Sequence, residues 1–230
     1  MNQNYIIPLW DIPALKVSKT EALFPVHRIF CVGQNYTAHV KEMHGNTERK
    51  QPFFFAKPPS SLRSNGTQIP YPSETQELHH EVELVAAIDK EGSNIFVEHA
   101  LEHVFGYAAG IDLTRRDLQR VAKERRQPWE TSKAFEASAP CGMLLPASET
   151  GDMSQKAISL SVNGVLRQQG NINEMIWSVP EIVSALSRYF RLMPGDLIFT
   201  GTPAGVSELN SGDTVTGSIE GLSDISVSIA

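Results

Sequence analysis

The chain has 230 residues, 41% hydrophobic and 20% charged, with a formal net charge of −6 and a sequence pI near 5.6. That is enough chain for one large domain, and an acidic balance without a basic arm disfavours nucleic-acid binding. No apolar run reaches the roughly 18 residues of a membrane span, Met1-Asn2-Gln3-Asn4-Tyr5 does not open a secretory signal, and Cys31 and Cys141 are too few for a disulfide framework, so a reducing cytoplasm is the expected setting.

Residues 1–25 are dotted with proline and weakly periodic, and read as an N-terminal extension before a domain over 26–230. Arg28-Ile29-Phe30-Cys31-Val32-Gly33 predicts a short apolar strand, with Cys31 as a small buried hydrophobe. Asn35 then stands where a helix cap belongs. The helix would run through Tyr36, His39, Val40 and Met43 and end at Gly45-Asn46. Phe53-Phe54-Phe55-Ala56-Lys57 predicts a buried strand stopped by Pro58-Pro59, and residues 60–73 read as loop. His79 to Ile88 predicts another strand. A short helix is expected over Val97 to Leu101. Phe105 to Ile111 reads as a strand of small residues and glycine, a type that permits close backbone approach. Asp112 ends it, and Thr114 is placed to cap a charged helix from Arg115 to Arg126. Val162-Asn163-Gly164-Val165 marks a hairpin, because Asn-Gly supplies the positive φ angles of its turn. Ser178-Val179-Pro180-Glu181 is a capping box opening a helix with Ile182, Val183, Leu186, Tyr189 and Phe190 on one face. Leu197 to Thr200 and the last thirty residues read as short strands between glycine turns. Strands outnumber helices without regular βαβ alternation, so the expected class is α+β, mostly β.

The chemistry concentrates in His79-His80-Glu81-Val82-Glu83-Leu84. Residues i and i+2 of a strand share a face, so Glu81 and Glu83 would lie side by side. Like charges that close repel unless something positive joins them. A divalent cation answers this, and oxygen-only ligation favours a hard one, Mg²⁺ or Mn²⁺. The plainer alternative is a solvated face of an edge strand. Asp112, at a strand-to-helix junction, is either a third ligand or a helix cap. His39 and Glu42 are three apart on the expected helix, which suits an imidazole oriented by a carboxylate as a general base, or a surface pair. Lys133, among small residues and Phe135, is a candidate oxyanion donor or a solvated lysine. Arg116 is a candidate fork for a substrate carboxylate or one more charge on its helix.

The ordered set of words is more specific than any member. Phe30-Cys31-Val32-Gly33-Gln34-Asn35-Tyr36 precedes His39 and Glu42. Phe54-Phe55-Ala56-Lys57-Pro58 and His79-His80-Glu81-Val82-Glu83-Leu84 follow. Next come Gly106-Tyr107-Ala108-Ala109-Gly110-Ile111-Asp112-Leu113-Thr114-Arg115-Arg116-Asp117, then Lys133-Ala134-Phe135, then Ile198-Phe199-Thr200-Gly201-Thr202-Pro203-Ala204-Gly205-Val206. Over roughly residues 25–230 the chain resembles the fumarylacetoacetate hydrolase family, and its Phe24-Pro25-Val26-His27-Arg28-Ile29-Phe30 and Pro52-Phe53-Phe54-Phe55 blocks resemble the fumarylpyruvate hydrolase and acylpyruvase branch.

The resemblance implies a mixed β-sandwich or β-roll with a few flanking helices, a homodimer, and a Mg²⁺ or Mn²⁺ site made by Glu81, Glu83 and Asp112. It implies a catalytic dyad of His39 and Glu42, an active-site Lys133, and substrate contacts from Arg116, Gln119 and Thr202. Gln34 departs from the arginine many relatives carry before Asn-Tyr. The expected reaction is hydrolysis of a C–C bond in a 2,4-diketo acid such as fumarylpyruvate. Oxaloacetate decarboxylase and an isomerase/decarboxylase of unsaturated 2-oxo acids remain as alternatives on the same fold, and an inert metal-binding scaffold as the non-enzymatic one. A lid is expected from the helix near His39–Met43 and the loop from Gly45 to Gln51.

Overall fold

Two β-sheets and a long helix enclose the main core. The computed structural model describes residues 5–43, 48–49 and 51–230. The first sheet has six strands in the order Leu145–Pro146, Val104–Ile111, Val82–Ile88, Asp196–Phe199, Arg28–Gly33, Phe53–Lys57. Its pairings are antiparallel except that Asp196–Phe199 runs parallel to Arg28–Gly33. The second has five strands in the order Val165–Asn171, Ala157–Val162, Thr214–Ile219, Ile225–Ile229, Gln68–Ile69. This is the expected α+β, mostly β architecture.

Every residue of Val82–Ile88 is buried, because the strand is central and covered on both faces. Its period of two sorts the side chains. Val82, Leu84, Ala86 and Ile88 join Ile158, Leu160, Val215 and Ile225 of the second sheet and Ile182, Val183 and Leu186 of the helix Val179–Tyr189. Val85 and Ala87 face the other way, into a smaller cluster with Leu15, Phe24, Ile29, Cys31 and Phe199. Each fully buried aliphatic side chain of this kind contributes about 1.5–3 kcal/mol relative to exposure. Residues 14–26 supply part of that second cluster through a two-stranded hairpin, Ala14–Lys16 against Leu23–Pro25. Cys31 and Cys141 are both buried thiols.

Most expected elements are present, with informative differences. The Asn163-Gly164 turn joins Val162 to Val165 with both central φ angles positive. The capping box is real: the Ser178 N–H donates to Glu181 Oε2 at 2.9 Å. Tyr189 and Phe190, expected on the buried face of that helix, are 61% and 44% exposed. They lie at its C-terminal end, where Phe190 leans on Phe30 and Tyr189 on Phe54. Phe53–Lys57 is an edge strand rather than a buried one, and its one buried residue is the lysine. The segment Val97–His103 is a 3₁₀ helix.

Two expected caps do other work. Tyr36, not Asn35, occupies the N-cap of the helix Thr37–Glu42. The Asn35 amide instead donates to the Trp177 and Thr200 carbonyls at 2.9 and 2.8 Å and accepts from the Trp177 N–H at 2.8 Å. Thr114 does not cap the helix Arg116–Arg125, whose N-cap is Arg115. The expected helix end at Gly45-Asn46 and most of the Gly45–Gln51 loop lie outside the described residues. Among the described residues no helix is long and apolar enough to cross a membrane.

Candidate metal centre and active site

Strand register alone brings three carboxylates to one face. In the antiparallel pair, Val82 stands opposite Ile111 and Glu83 opposite Gly110. The ladder continues one step, with the Asp112 N–H donating to the Glu81 carbonyl at 2.8 Å. Facing residues on neighbouring strands share a face, and so do residues two apart. Glu81, Glu83 and Asp112 therefore occupy three corners of a square. Gly110 is the fourth, and it carries no side chain. A Cβ there would lie 2.6 Å from Val85 Cγ2 and 2.7 Å from the Phe199 ring, so the corner cannot be filled. One oxygen from each of the three carboxylates lies within 4.8 Å of the other two, and all three residues are buried. Glu81 sits just before the strand rather than inside it. The solvated-edge alternative fails, and Asp112 is not a helix cap.

Three cations press on this cluster unevenly. Lys133, from the short helix Glu130–Lys133, directs its ammonium at Glu81 Oε2 (2.8 Å), Asp112 Oδ2 (2.6 Å) and Thr114 Oγ1 (2.7 Å). An ammonium has three donors, and all three are engaged. Lys57, at the end of its edge strand, places Nζ 2.8 Å from Asp112 Oδ1 and donates to the Leu113 carbonyl at 3.2 Å. It also donates to the Lys133 carbonyl. Arg116 pairs with Glu81, donates to Gln119 Oε1 at 2.5 Å, and reaches His79 Nδ1 at 3.4 Å. Among the described residues, two of its five N–H groups stay uncommitted.

Glu83 has no such partner. It is 2% exposed, and its one hydrogen bond among the described residues is from the Gly201 N–H to Oε2, 2.8 Å. Burial, then the neighbouring Asp112 and Glu81 charges, push its carboxyl well above the ordinary value. Burial acts the same way on Glu81, but Lys133 and Arg116 outweigh it and hold that carboxyl far below. Burial lowers Lys57 despite Asp112. For Lys133 the pull of Asp112 and Glu81 exceeds the burial cost and raises it. The missing positive charge is thus localised beside Glu83. Asp112 Oδ1 is fully buried and meets the Lys57 ammonium at 2.8 Å as an ion pair without good hydrogen-bond alignment. An all-oxygen donor set with one uncompensated carboxylate fits a hard divalent cation such as Mg²⁺ or Mn²⁺.

Across the same cavity stands an oriented histidine. His39 is 6% exposed, and its Nδ1 lies 3.1 Å from Glu42 Oε2. A carboxylate only accepts, so Nδ1 carries the proton and Nε2 keeps its lone pair. Glu42 is itself held by the Gly205 N–H at 2.9 Å. Burial would raise the Glu42 carboxyl, but these bonds outweigh it and lower it. His39, the three carboxylates, Arg116, Gln119, Lys133 and Thr202 all line one cavity. Eight of the nine site residues expected from the sequence line this cavity, and the ninth, Glu42, reaches it through His39.

A sequence model of the fumarylacetoacetate hydrolase C-terminal domain matches residues 28–230. The chain belongs to the fumarylacetoacetate hydrolase family. Fumarylpyruvate hydrolase of a Ralstonia species is 43% identical over 180 residues, covering 78% of this chain and 93% of the relative. An oxaloacetate tautomerase of Escherichia coli is 41% identical over 199 residues, covering 86% and 90%. A crystal structure of fumarylpyruvate hydrolase from Pseudomonas aeruginosa, in complex with Mn²⁺ and pyruvate, superposes with a TM-score of 0.97. It is 47% identical and covers 99% of each chain.

Within this family member, sequence reasoning passed over three residues that build the site. Lys57 ends a phenylalanine-rich strand, and a lone lysine in that place is its sequence signal. Asn35 ties the strand end after Gly33 to both Thr200 and Trp177, which no local pattern announces. Gln168, from the strand Val165–Asn171, is fully buried and contacts the Glu81–Glu83 segment and the Thr202 loop together. It lies in Arg167-Gln168-Gln169-Gly170, a run that reads as a polar strand.

Proposed function

We propose that this chain is a metal-dependent hydrolase of 2,4-diketo acids, with fumarylpyruvate as substrate and fumarate and pyruvate as products. The observation that carries the reading is His39 Nε2, oriented by Glu42 and opening on the same cavity as the carboxylate triad. Glu81, Glu83 and Asp112 would hold Mg²⁺ or Mn²⁺. Bound there, the ion supplies Lewis-acid polarisation of the 2-oxo acid end and stabilises negative charge on its oxygen.

His39 takes the proton from a water that adds to the distal carbonyl, and Glu42 balances the imidazolium that results. The tetrahedral oxyanion needs a donor from the protein. Thr202 is better placed for this than Lys133, whose three N–H groups are committed to Glu81, Asp112 and Thr114. Cleavage then releases pyruvate as its enolate, which is protonated to the ketone. Arg116 offers two free N–H groups to an anionic substrate, and Gln119 fixes its orientation. The exposed apolar side chains Ile6, Ile7, Leu9, Trp10 and Ile12 support a homodimer.

The rim of the cavity favours a long dicarboxylate. Phe55 and Trp129 supply apolar wall, and Lys123 lines the mouth. Lys123 has no carboxylate within salt-bridge distance among the described residues. It lies two turns beyond Arg116 on one helix, a rise of about 10 Å. That spacing suits the second carboxylate of a seven-carbon chain. Lys123→Met should raise KM for fumarylpyruvate about tenfold, the effect of losing roughly 1.4 kcal/mol. KM for acetylpyruvate, which lacks that carboxylate, should stay unchanged. An equal rise for both substrates, read by pyruvate release, would remove Lys123 from substrate recognition.

The likeness to the E. coli tautomerase favours a second reading, oxaloacetate tautomerisation or decarboxylation. It uses the same enolate chemistry without an attacking water. Incubating the Mn²⁺-loaded protein with fumarylpyruvate, acetylpyruvate and oxaloacetate in parallel separates the two. Release of fumarate and pyruvate from the first substrate supports hydrolysis. Turnover of oxaloacetate alone sinks it.

A further inference from the structure

We propose that Gln168 is a positioning residue that fixes the polarity of the Thr202 hydroxyl, so that Thr202 meets a ligand oxygen in the cavity only as a donor. The inference deepens the reading above and rests on its placement of Thr202 against the substrate.

The Gln168 amide is fully buried and uses all four of its hydrogen-bonding positions. Oε1 accepts from the Val82 N–H at 3.1 Å and faces His80 Nδ1 at 2.9 Å. Nε2 donates to the Pro203 carbonyl at 2.8 Å and to Thr202 Oγ1 at 2.7 Å. Two of these partners admit no alternative. A backbone N–H can only donate, so Oε1 must face Val82. A backbone carbonyl can only accept, so Nε2 must face Pro203. The amide therefore has one orientation, and the rest of the network inherits it.

On one side, Oε1 can only accept, so His80 Nδ1 carries a proton. The other ring nitrogen, Nε2, faces Ser207 Oγ at 2.9 Å. On the other side, Thr202 Oγ1 receives a hydrogen from Gln168. Its own hydrogen has no acceptor among the described residues. Thr202 is 2% exposed and lines the cavity with Lys133 and Asp112, so that hydrogen is available to a ligand there. The bonds run in one direction: His80 to Gln168, Gln168 to Thr202, Thr202 to ligand. Aligned chains of this kind polarise one another. A hydroxyl without such a neighbour rotates and can meet an oxyanion with its lone pair.

The test combines a tautomer measurement with a double-mutant cycle. Nitrogen-15 spectra of the wild-type holoprotein, with Mg²⁺ as the ion, should show a proton on His80 Nδ1. An unprotonated Nδ1 overturns the inference, whatever the enzyme hydrolyses. Gln168→Glu keeps an acceptor for His80 and Val82 but presents an oxygen to Thr202, whose hydroxyl then turns away from the ligand. It should lower kcat for fumarylpyruvate about 10²-fold, the loss of one oxyanion donor, with KM and Mn²⁺ affinity little changed. Thr202→Val should do the same, and the double variant should be no slower than Thr202→Val alone. Effects that multiply, or a Thr202→Val with wild-type kcat, overturn the proposal. Should Gln168→Glu fail to fold, the Nδ1 measurement and the kcat of Thr202→Val still decide. An unchanged kcat there removes Thr202 as a donor. A wild type that hydrolyses no diketo acid while His80 carries its proton on Nδ1 discards the hydrolase reading and supports the hydrogen-bond polarity.

Discussion

Replacing His39 with alanine should lower kcat for fumarylpyruvate by about 10²–10⁴-fold, the usual worth of a positioned general base. Mn²⁺ affinity should stay near the wild-type value. The two halves separate because His39 contacts Glu42 and the cavity, whereas the cation would sit among Glu81, Glu83 and Asp112 on another element. The decarboxylase reading gives a different pattern under the same substitution. Decarboxylation of oxaloacetate needs neither an attacking water nor a base that takes a proton from carbon, so hydrolysis would fall while oxaloacetate decarboxylation persisted. Measured side by side, the two substrates tell whether His39 activates water. A variant that hydrolyses fumarylpyruvate at the wild-type rate would refute the dyad.

How much of this site could be seen in the sequence depends on the range of the interaction involved. Glu81 and Glu83 were legible because a period of two is a local property of a strand. Their burial was not, since it depends on two sheets packing over both faces of Val82–Ile88. Asp112 was legible as a residue at a strand end. Its place opposite Glu81 required the register of a partner strand, which nothing within the segment specifies. His39 and Glu42 were readable because three residues on a helix are neighbours. Asn35 and Thr114 have cap-like positions, and a cap is the commonest local use of such side chains. In the structure, longer-range partners claim them: Trp177 and Thr200 for Asn35, and Lys133 for Thr114. Lys57 and Gln168 show the same limit. Hydropathy marks both as surface residues, and only tertiary contacts repay their burial. Lys133 was found by its neighbours in the chain, but its saturation by Glu81, Asp112 and Thr114 moves the oxyanion role toward Thr202.

The second large effect concerns Glu83, the carboxylate without a cationic partner. Glu83→Gln keeps the size of the side chain and its bond from the Gly201 N–H, and removes one charge. Mn²⁺ affinity should fall about 100-fold, and turnover at fixed metal should fall with it. Thermal denaturation offers a readout independent of turnover. At a Mn²⁺ concentration 100 times the wild-type Kd, binding stabilises the wild type by about 2.7 kcal/mol. The variant, near its own Kd at that concentration, should gain only about 0.4 kcal/mol. In chelator the order should reverse. The folded state raises the Glu83 carboxyl well above its ordinary value, whereas the unfolded chain does not. The stability associated with that proton is fully present below the unfolded value and is lost as pH rises through the folded one. Glutamine has no such loss. Metal-free Glu83→Gln should therefore become progressively more stable than the metal-free wild type as pH rises above about 4.5, the unfolded carboxylate's range. The crossing of the two effects, a more stable apoprotein that responds less to Mn²⁺, is what a carboxylate held for a cation predicts. A glutamine variant that takes up Mn²⁺ as tightly as the wild type would place the ion elsewhere.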